Sequence, residues 1–474
     1  MGLSLATPGR DVVHQADVPA LASVPARLNP DRQPKCAEFR YVSWGLCHAD
    51  AHPRFNDDAL RCGIPEQRLA IRVVQPRRGT QLIRTPMAGG LRVAVAGCGY
   101  WGSKHVRVLH AADGVDELVL VDTREDRLLA LSRNYKLSRC YTALEPALEH
   151  ADAVVVGTPP STHVPLALTA IRAGKHVLVE KPLAPSSAEA RTLVTAAAAA
   201  NVVLMVGHTF EYNPAVRKLA ELVRTEELGQ LYYLDSARLN LGLYQNDVNV
   251  ILDLAPHDIS IINYVLGRKP VAVQAWASRH AHRQLEDVAY LRLYYDDCVE
   301  GSGLSANIHV SWLDPCKVRK ITAVGSKKMA VYDDLATEER IRILDKGVFL
   351  PDGDDLTQPP MSYRYGDIVV PFVSPEEPLA VQDRHFIECI VKGTQPLTDG
   401  EDGLSVVEAL EAAELSRRFG RPVLLDEVRS GGHLHGSRVR DDDRPAGPWS
   451  QRWRPPRHTP ASSPVLTASG PEAE

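Results

Sequence analysis

The chain has 474 residues, 44% of them apolar and 24% charged, with a formal net charge of −5. That length exceeds one ordinary domain, and without a Lys/Arg block in the central region the balance argues against a nucleic-acid or membrane-surface partner. No apolar run approaches the ~20 residues of a membrane span, the N-terminus lacks a secretory h-region, and the eight cysteines show neither CxxC nor metal-ligand spacing, so free thiols, a cytoplasmic protein and no metal are expected.

Residues 1–86 are loop-prone and rich in Arg, Pro and His, and hold no sustained period of 2 or 3.6. They cannot bury enough apolar area to offset their ordering entropy and are expected to be a disordered, dispensable extension, with Met87 reading as an alternative initiator. Leu91 to Ala96 is a short apolar, β-branched run typical of a strand buried on both faces. Gly97-x-Gly99-x-x-Gly102 follows without a gap, with Tyr100 and Trp101 inside it, and Ser103 to Ala112 suits a helix packed on a sheet. A second apolar strand, Glu117 to Val121, ends at Asp122, 20 residues past Gly102. That is the full dinucleotide context: glycines for a tight turn, a helix N-terminus for the pyrophosphate, an acid for the ribose hydroxyls. A carboxylate at Asp122 favours NAD over NADP, whose 2′-phosphate it repels. Arg124 opposes that preference if it swings toward the phosphate, and reads otherwise as a solvated loop residue.

Strand and helix keep alternating. Asp152 to Gly157 is a strand, Thr158 to Thr162 a turn, and His163 to Ala173 a helix closed by Gly174. His176 to Val179 is a strand delivering Glu180-Lys181-Pro182, Ser186 to Glu189 is a capping box, and Val202 to Gly207 is one more strand. Residues 87–208 thus read as an α/β, doubly wound parallel sheet of the Rossmann type. Lys181 is a lone amine at the end of a buried strand, where a nicotinamide would lie; desolvation there depresses its pKa and suits it to bond a reacting oxygen. The following proline holds it extended and permits a cis bond.

After His208 the pattern changes. Asn213-Pro214 opens a helix through Val223. Strand-like runs follow at Leu231–Leu241, Val271–Ser278, Ala289–Tyr295, Ser305–Trp312, Lys320–Val324 and Lys328–Tyr332, then helices at Ala380–Lys392 and Gly403–Phe419. This predicts an α+β domain, 209–426, with a largely antiparallel open sheet, and a disordered tail, 427–474. Pro256 reads as the start of a helix running to Gly267, with His257 in its first turn, where the positive dipole end keeps imidazole neutral. Arg238 and Asn240 share a strand face and meet either a diphosphate or a neighbouring strand, while Asn213 is an N-cap within reach of substrate.

Four segments in order, Ala94 to Gly102, Gly157 to His163, Glu180-Lys181-Pro182 and Asp253-Leu254-Ala255-Pro256-His257-Asp258, make the chain resemble the Gfo/Idh/MocA oxidoreductases over about residues 90–425. The resemblance implies hydride transfer between nicotinamide and a secondary alcohol or ketone of a sugar or cyclitol, and a homo-oligomer, dimer or tetramer, built through the open sheet. It implies His257 as acid/base, with Asp253 and Lys181 fixing the same oxygen, and Thr158, Pro159 and His163 lining the nicotinamide ribose. Within the family, Gly207-His208-Thr209-Phe210 with Tyr212-Asn213-Pro214, Arg238 to Gly242, and Asp247-Val248-Asn249-Val250 look most like dehydrogenases of nucleotide-linked amino sugars; Glu211 departs from the apolar residue expected there. The alternatives are a cyclitol or free-sugar dehydrogenase and a non-catalytic NAD-binding regulator, against which the retained Lys181, Asp253 and His257 argue.

Overall fold

The computed structural model describes residues 89–431 except 243, 246–247, 282, 296–302 and 350–361. These belong to one of the chain's two units, Val74–Glu474; the other, Met1–Val73, lies wholly outside the described residues. The arm 1–86, Met87, Asp247 and the tail beyond 431 are likewise outside them.

β1 (Leu91–Ala96), β2 (Val115–Val121), β3 (Arg139–Tyr141), β4 (Ala153–Val156), β5 (His176–Val179) and β6 (Leu204–Val206) form a wholly parallel sheet in the order β3-β2-β1-β4-β5-β6. The intervening helices are α1 (Tyr100–His110), α2 (Glu125–Tyr135), α3 (Leu144–Ala147), α4 (His163–Arg172) and α5 (Ser187–Ala200). Strand order reverses between β1 and β4, so their C-terminal ends open onto the crevice where such sheets bind ligands. Gly174 closes α4 at φ +71°. At α5 the Ser186 hydroxyl accepts from the Glu189 amide at 3.3 Å and donates to its carboxylate at 2.8 Å, which realises half of the predicted capping box.

The second sheet follows α6 (Pro214–Arg224). β7 (Leu231–Leu241) precedes α7 (Val250–Leu266); β8 (Ala272–Ser278), β9 (Val288–Tyr294), β10 (Ser305–Ser311), β11 (Leu313–Gly325), β12 (Met329–Asp333), β13 (Ile341–Phe349) and β14 (Ser362–Val369) follow. The chain ends its described course with α8 (Pro378–Lys392), α9 (Gly400–Phe419), β15 (Val423–Leu424) and α10 (Leu425–Ser430). Strand order is β14-β13-β12-β11-β7-β10-β9-β8-β15, antiparallel throughout except where β10 runs parallel to β7. Alternation along β8 and β9 turns apolar residues toward α6, α7 and α9; the opposite face exposes Trp276 and Tyr290, the latter stacked on His309 at 4.0 Å. Glu427 to Ser430, expected to open the disordered tail, instead complete α10, because Glu427 pairs with Arg421 and accepts from the Leu424 amide.

Two late helices close the first sheet. From α8, Val381, Phe386, Ile387 and Ile390 pack against Leu91, Val93 and Val95 of β1. From α9, Leu404 and Val407 enter the core on the other face, beside Leu183 and Val206, while Val406, Ala409 and Leu410 of the same helix belong to the core of the second sheet. A Cβ on Gly403 would stand 2.4 Å from a Val206 methyl, so glycine is what lets α9 seat on β6.

Candidate active site

The glycine loop is shaped by steric necessity. Gly97 has φ +91°, and a Cβ there would come within 2.7 Å of the Thr158 methyl and 2.8 Å of the Gly157 backbone. A Cβ on Gly102 would stand 1.6 Å from the Gly97 carbonyl oxygen. Gly99 is the N-cap of α1; no side chain caps it and the first turn holds no acid, so the first N–H groups and the positive dipole end face outward for an anion. This cradle fits a dinucleotide pyrophosphate. Tyr100 and Trp101 stand on the same turn, edge to face at 5.6 Å, with the Lys104 ammonium 4.0 Å and 4.6 Å from their ring centres.

Asp122 ends β2 nearly buried. Its Oδ2 accepts from the Cys98 amide at 2.7 Å and its Oδ1 from the Arg124 amide at 2.8 Å, so the acid also braces the glycine loop. The Arg124 guanidinium is engaged by Asp126 at 2.6 Å on the surface. The guanidinium beside Asp122 is that of Arg127, at 3.5 Å, which the sequence reading did not weigh.

β5 delivers Lys181 into a cis peptide with Pro182. The Lys181 ammonium donates to the backbone carbonyl of Asp253 at 3.0 Å and lies 3.8 Å from its Oδ1, while Trp312 Nε1 donates to Oδ2 at 3.0 Å. The structure corrects the predicted helix start. Asn249, not the residue before Pro256, caps α7 by accepting from the Leu252 amide at 3.1 Å. His257 therefore stands two turns inside α7, beyond the reach of the terminal dipole, and Asp253 occupies the first turn, four residues before it and on the same face. Pro256 cannot bond the Leu252 carbonyl, and the next carbonyl, that of Asp253, takes Lys181.

What keeps His257 neutral is burial first, then the nearby Lys181 and Arg238 cations, which together hold its pKa well below the usual histidine value. Lys181 is likewise pulled below an ordinary lysine by desolvation, against the opposing attraction of Asp253 and Glu180. Phe210 stands edge-on to the His257 ring at 5.1 Å, and neither ring nitrogen has a hydrogen-bond partner among the described residues.

Behind Lys181 lies a network that the sequence did not announce. His105, fully buried on α1, meets Asp383 of α8 at 2.9 Å through Nδ1 and Glu180 at 3.0 Å through Nε2. The other Glu180 oxygen accepts from the Lys181 amide at 3.1 Å. Burial works against a charged ring, but the two carboxylates prevail and raise His105 to about 10, while His105 holds Glu180 below its usual range despite desolvation. The peptide carrying Lys181 is thus anchored to a buried ionic triad. One signal was present: His105 lies three residues past Gly102, on the helix side that must face the sheet.

The remaining predicted residues divide. His163 is fully buried, its Nδ1 2.8 Å from the Pro182 carbonyl and its Nε2 2.9 Å from that of Thr158, so it ties the turn to the end of β5. Thr158 packs on Gly97, Pro159 precedes the turn into α4, and Thr162 donates to the Thr158 hydroxyl at 2.7 Å. Asn213 caps α6 through the Ala215 amide at 2.9 Å and donates to the Tyr332 hydroxyl at 3.2 Å. Arg238 lines the cavity with its guanidinium engaged by an element that the sequence reading did not weigh: its Nε and Nη2 fork onto Asp258 of α7 at 2.7 Å and 3.2 Å, because a buried guanidinium requires a carboxylate. A cavity of about 370 Å³ gathers Glu180, Asn213, Arg238, Asn240 and His257. Its wall also holds Lys104, Lys317 and Arg319, which the sequence reading missed; led by Lys104, they pull the Tyr100 hydroxyl below its usual pKa.

Two family descriptions match the chain: "Oxidoreductase family, NAD-binding Rossmann fold" over residues 91–208, and "GFO/IDH/MocA C-terminal domain" over residues 216–331. The D-apiose dehydrogenase of Paraburkholderia graminis is 25% identical over 71% of this chain and 90% of that enzyme. The UDP-N-acetylglucosamine 3-dehydrogenase of Acidithiobacillus ferrooxidans is 32% identical over 39% of this chain and 57% of that enzyme. Among solved structures, GenD2 from gentamicin A biosynthesis, in complex with NAD, is 27% identical over 74% of this chain and 99% of that one, with a TM-score of 0.59.

Proposed function

Because the chain belongs to the Gfo/Idh/MocA oxidoreductases, we propose that it is an NAD-dependent dehydrogenase that oxidises a secondary alcohol on a nucleotide-linked amino sugar. One observation carries the chemistry: His257 is held neutral on the cavity wall, its ring nitrogens without a hydrogen-bond partner among the described residues, within the field of Lys181. Bound NAD supplies the hydride acceptor. His257 takes the proton of the substrate hydroxyl; a neutral imidazole is already in the form a general base needs. Lys181, with its peptide anchored by Glu180 and its ammonium by Asp253, polarises the same oxygen as charge develops there. The buried carboxylate of Asp122 supports NAD over NADP.

Lys104, Lys317 and Arg319 support the nucleotide-linked substrate. Lys317 has no anionic partner among the described residues, so the wall of the cavity offers unneutralised positive charge to a diphosphate. The resemblance to the Acidithiobacillus enzyme points the same way. The exposed Trp276 and Tyr290 on the uncovered sheet face support a homo-oligomer, dimer or tetramer. The test is NADH formation by the purified chain across UDP-amino sugars, free sugars and inositols. Faster turnover of an uncharged sugar or cyclitol would transfer the assignment to that class. Tight NAD binding with no turnover on any panel member would leave the regulator reading.

A further inference from the structure

Just past the end of β6 lies a second cluster that the proposed chemistry does not use. His208, Glu211 and Asp402 each offer one ligand atom, and these atoms lie within 4.8 Å of one another. The three come from three places in the fold: His208 follows β6, Glu211 lies in the turn before α6, and Asp402 is in the first turn of α9. His208 and Glu211 are 2% exposed.

The polar atoms here are unsatisfied. Among the described residues, neither ring nitrogen of His208 has a hydrogen bond, nor does Glu211 Oε1 or Asp402 Oδ2, although all are shielded from solvent. Leaving so many buried polar atoms without a hydrogen bond is costly, and the two carboxylates that converge on the one imidazole repel each other. The spacing accounts for this. His208 Nδ1 is 3.3 Å from Asp402 Oδ2 and 3.5 Å from Glu211 Oε1, too long for charge-assisted hydrogen bonds. Ligands on a tetrahedral ion at ~2.1 Å are separated by about 3.4 Å along each edge of the tetrahedron. The two measured separations straddle that edge.

We propose that His208, Glu211 and Asp402 form a binding site for one divalent transition-metal cation of the zinc class, held by an imidazole nitrogen and two carboxylate oxygens, with water as the fourth ligand. Neutral imidazole and two carboxylates carry a charge of −2, which the dication cancels without any further charged group. One nitrogen with two oxygens suits zinc, cobalt or manganese better than calcium, which takes six to eight oxygens. The Asp402 side chain, 21% exposed, is the entry side. The ion joins the end of the parallel sheet to α9, so its effect is on cohesion between these elements and its readouts do not depend on turnover.

The full chain, stripped with a chelator and dialysed, is titrated with Zn²⁺ and separately with Co²⁺. Expected are one equivalent bound per chain by elemental analysis, a rise in Tm with Zn²⁺, and the intense visible absorption of four-coordinate Co²⁺. Asp402→Asn keeps the shape of the partly exposed ligand; expected are loss of that equivalent and of the Co²⁺ spectrum in a variant that still unfolds cooperatively. Glu211→Gln should do the same. The proposal is overturned if the stripped chain binds neither ion in stoichiometric amount, or if Asp402→Asn and Glu211→Gln both retain the full equivalent, which would place the metal elsewhere on the chain. It is also overturned if Zn²⁺ leaves the Tm unmoved while both variants melt as the wild type does.

Discussion

Replacing His105 with leucine removes the cation from between two buried carboxylates at nearly constant volume. Asp383, fully buried, keeps a bond from Gln382 Nε2 at 3.3 Å, and Glu180 keeps the Lys181 amide at 3.1 Å. Breaking a buried ion pair from one side costs ~3–5 kcal/mol, and these surviving bonds place the expected loss at the lower end, about 3 kcal/mol. That is a large share of the ~5–15 kcal/mol that holds a native protein together. The loss depends on pH in a defined direction. The folded chain holds the His105 proton up to about 10, whereas an unfolded histidine releases it near 6.5, so the contribution is full below pH 6.5 and disappears as pH rises toward 10. The depressed Glu180 contributes above its ordinary carboxylate value and loses that contribution only in acid, which leaves the 6.5–10 window to the imidazole. Urea unfolding of wild type and His105→Leu at pH 6, 8 and 10 measures the gap, and taking the difference removes every group not coupled to His105. A gap below about 1 kcal/mol at pH 6, or one that widens with pH, would refute the buried triad.

Lys181→Ala is expected to lower turnover by ~10²–10⁴ while NAD affinity, measured by fluorescence titration, changes no more than a few-fold; near-normal turnover would remove Lys181 from the chemistry. With His257 held well below 6.5, the acid limb of kcat/KM against pH is expected below the usual histidine value, and a limb at 6.5 or above that His257→Ala abolishes would contradict the site described. Asp122→Ala should narrow the preference for NAD over NADP in kcat/KM, and a wild type that works better with NADP would make Arg127 the deciding group. Lys317→Glu is expected to raise KM for an anionic nucleotide sugar, more at low salt than at high, with kcat little changed; equal effects on a neutral sugar would deny it a role in charge recognition.

Five of the six strands of the first sheet were legible because they are short apolar runs punctuated by glycine and proline; β3, the three residues Arg139–Tyr141, lacks such a run and was not read. The span Leu231–Leu241 was read to the residue for a related reason: alternation marks a half-buried strand. β13 and β14 escaped notice because Arg342, Lys346, Arg364 and Asp367 interrupt their apolar character on the outer edge of the sheet. In the site, local motifs placed Gly97, Gly102, Asp122 and Lys181 correctly at the ends of their strands and loop. Pro256 misled, since a proline that usually begins a helix here sits within one whose cap, Asn249, lies seven residues earlier. The pairings of His105 with Asp383 and of Arg238 with Asp258 were not legible, because a side chain's place on one element does not name its partner on another, and the first pair is separated by 278 residues.

The seating of α8 and α9 on the first sheet has a consequence for how the protein is made. Synthesis delivers β1 to β6 early, yet both faces of that sheet wait for side chains from Val381 to Val407, near the end of the described chain. Until those helices leave the ribosome, the nascent Rossmann half, covered only by its own helices, leaves part of its apolar strands open to whatever else is in solution. A stop codon anywhere between β14 and α9 therefore exposes the portion that looks self-sufficient on paper, and a gene fragment ending at residue 208 lacks the two helices that finish its own interior.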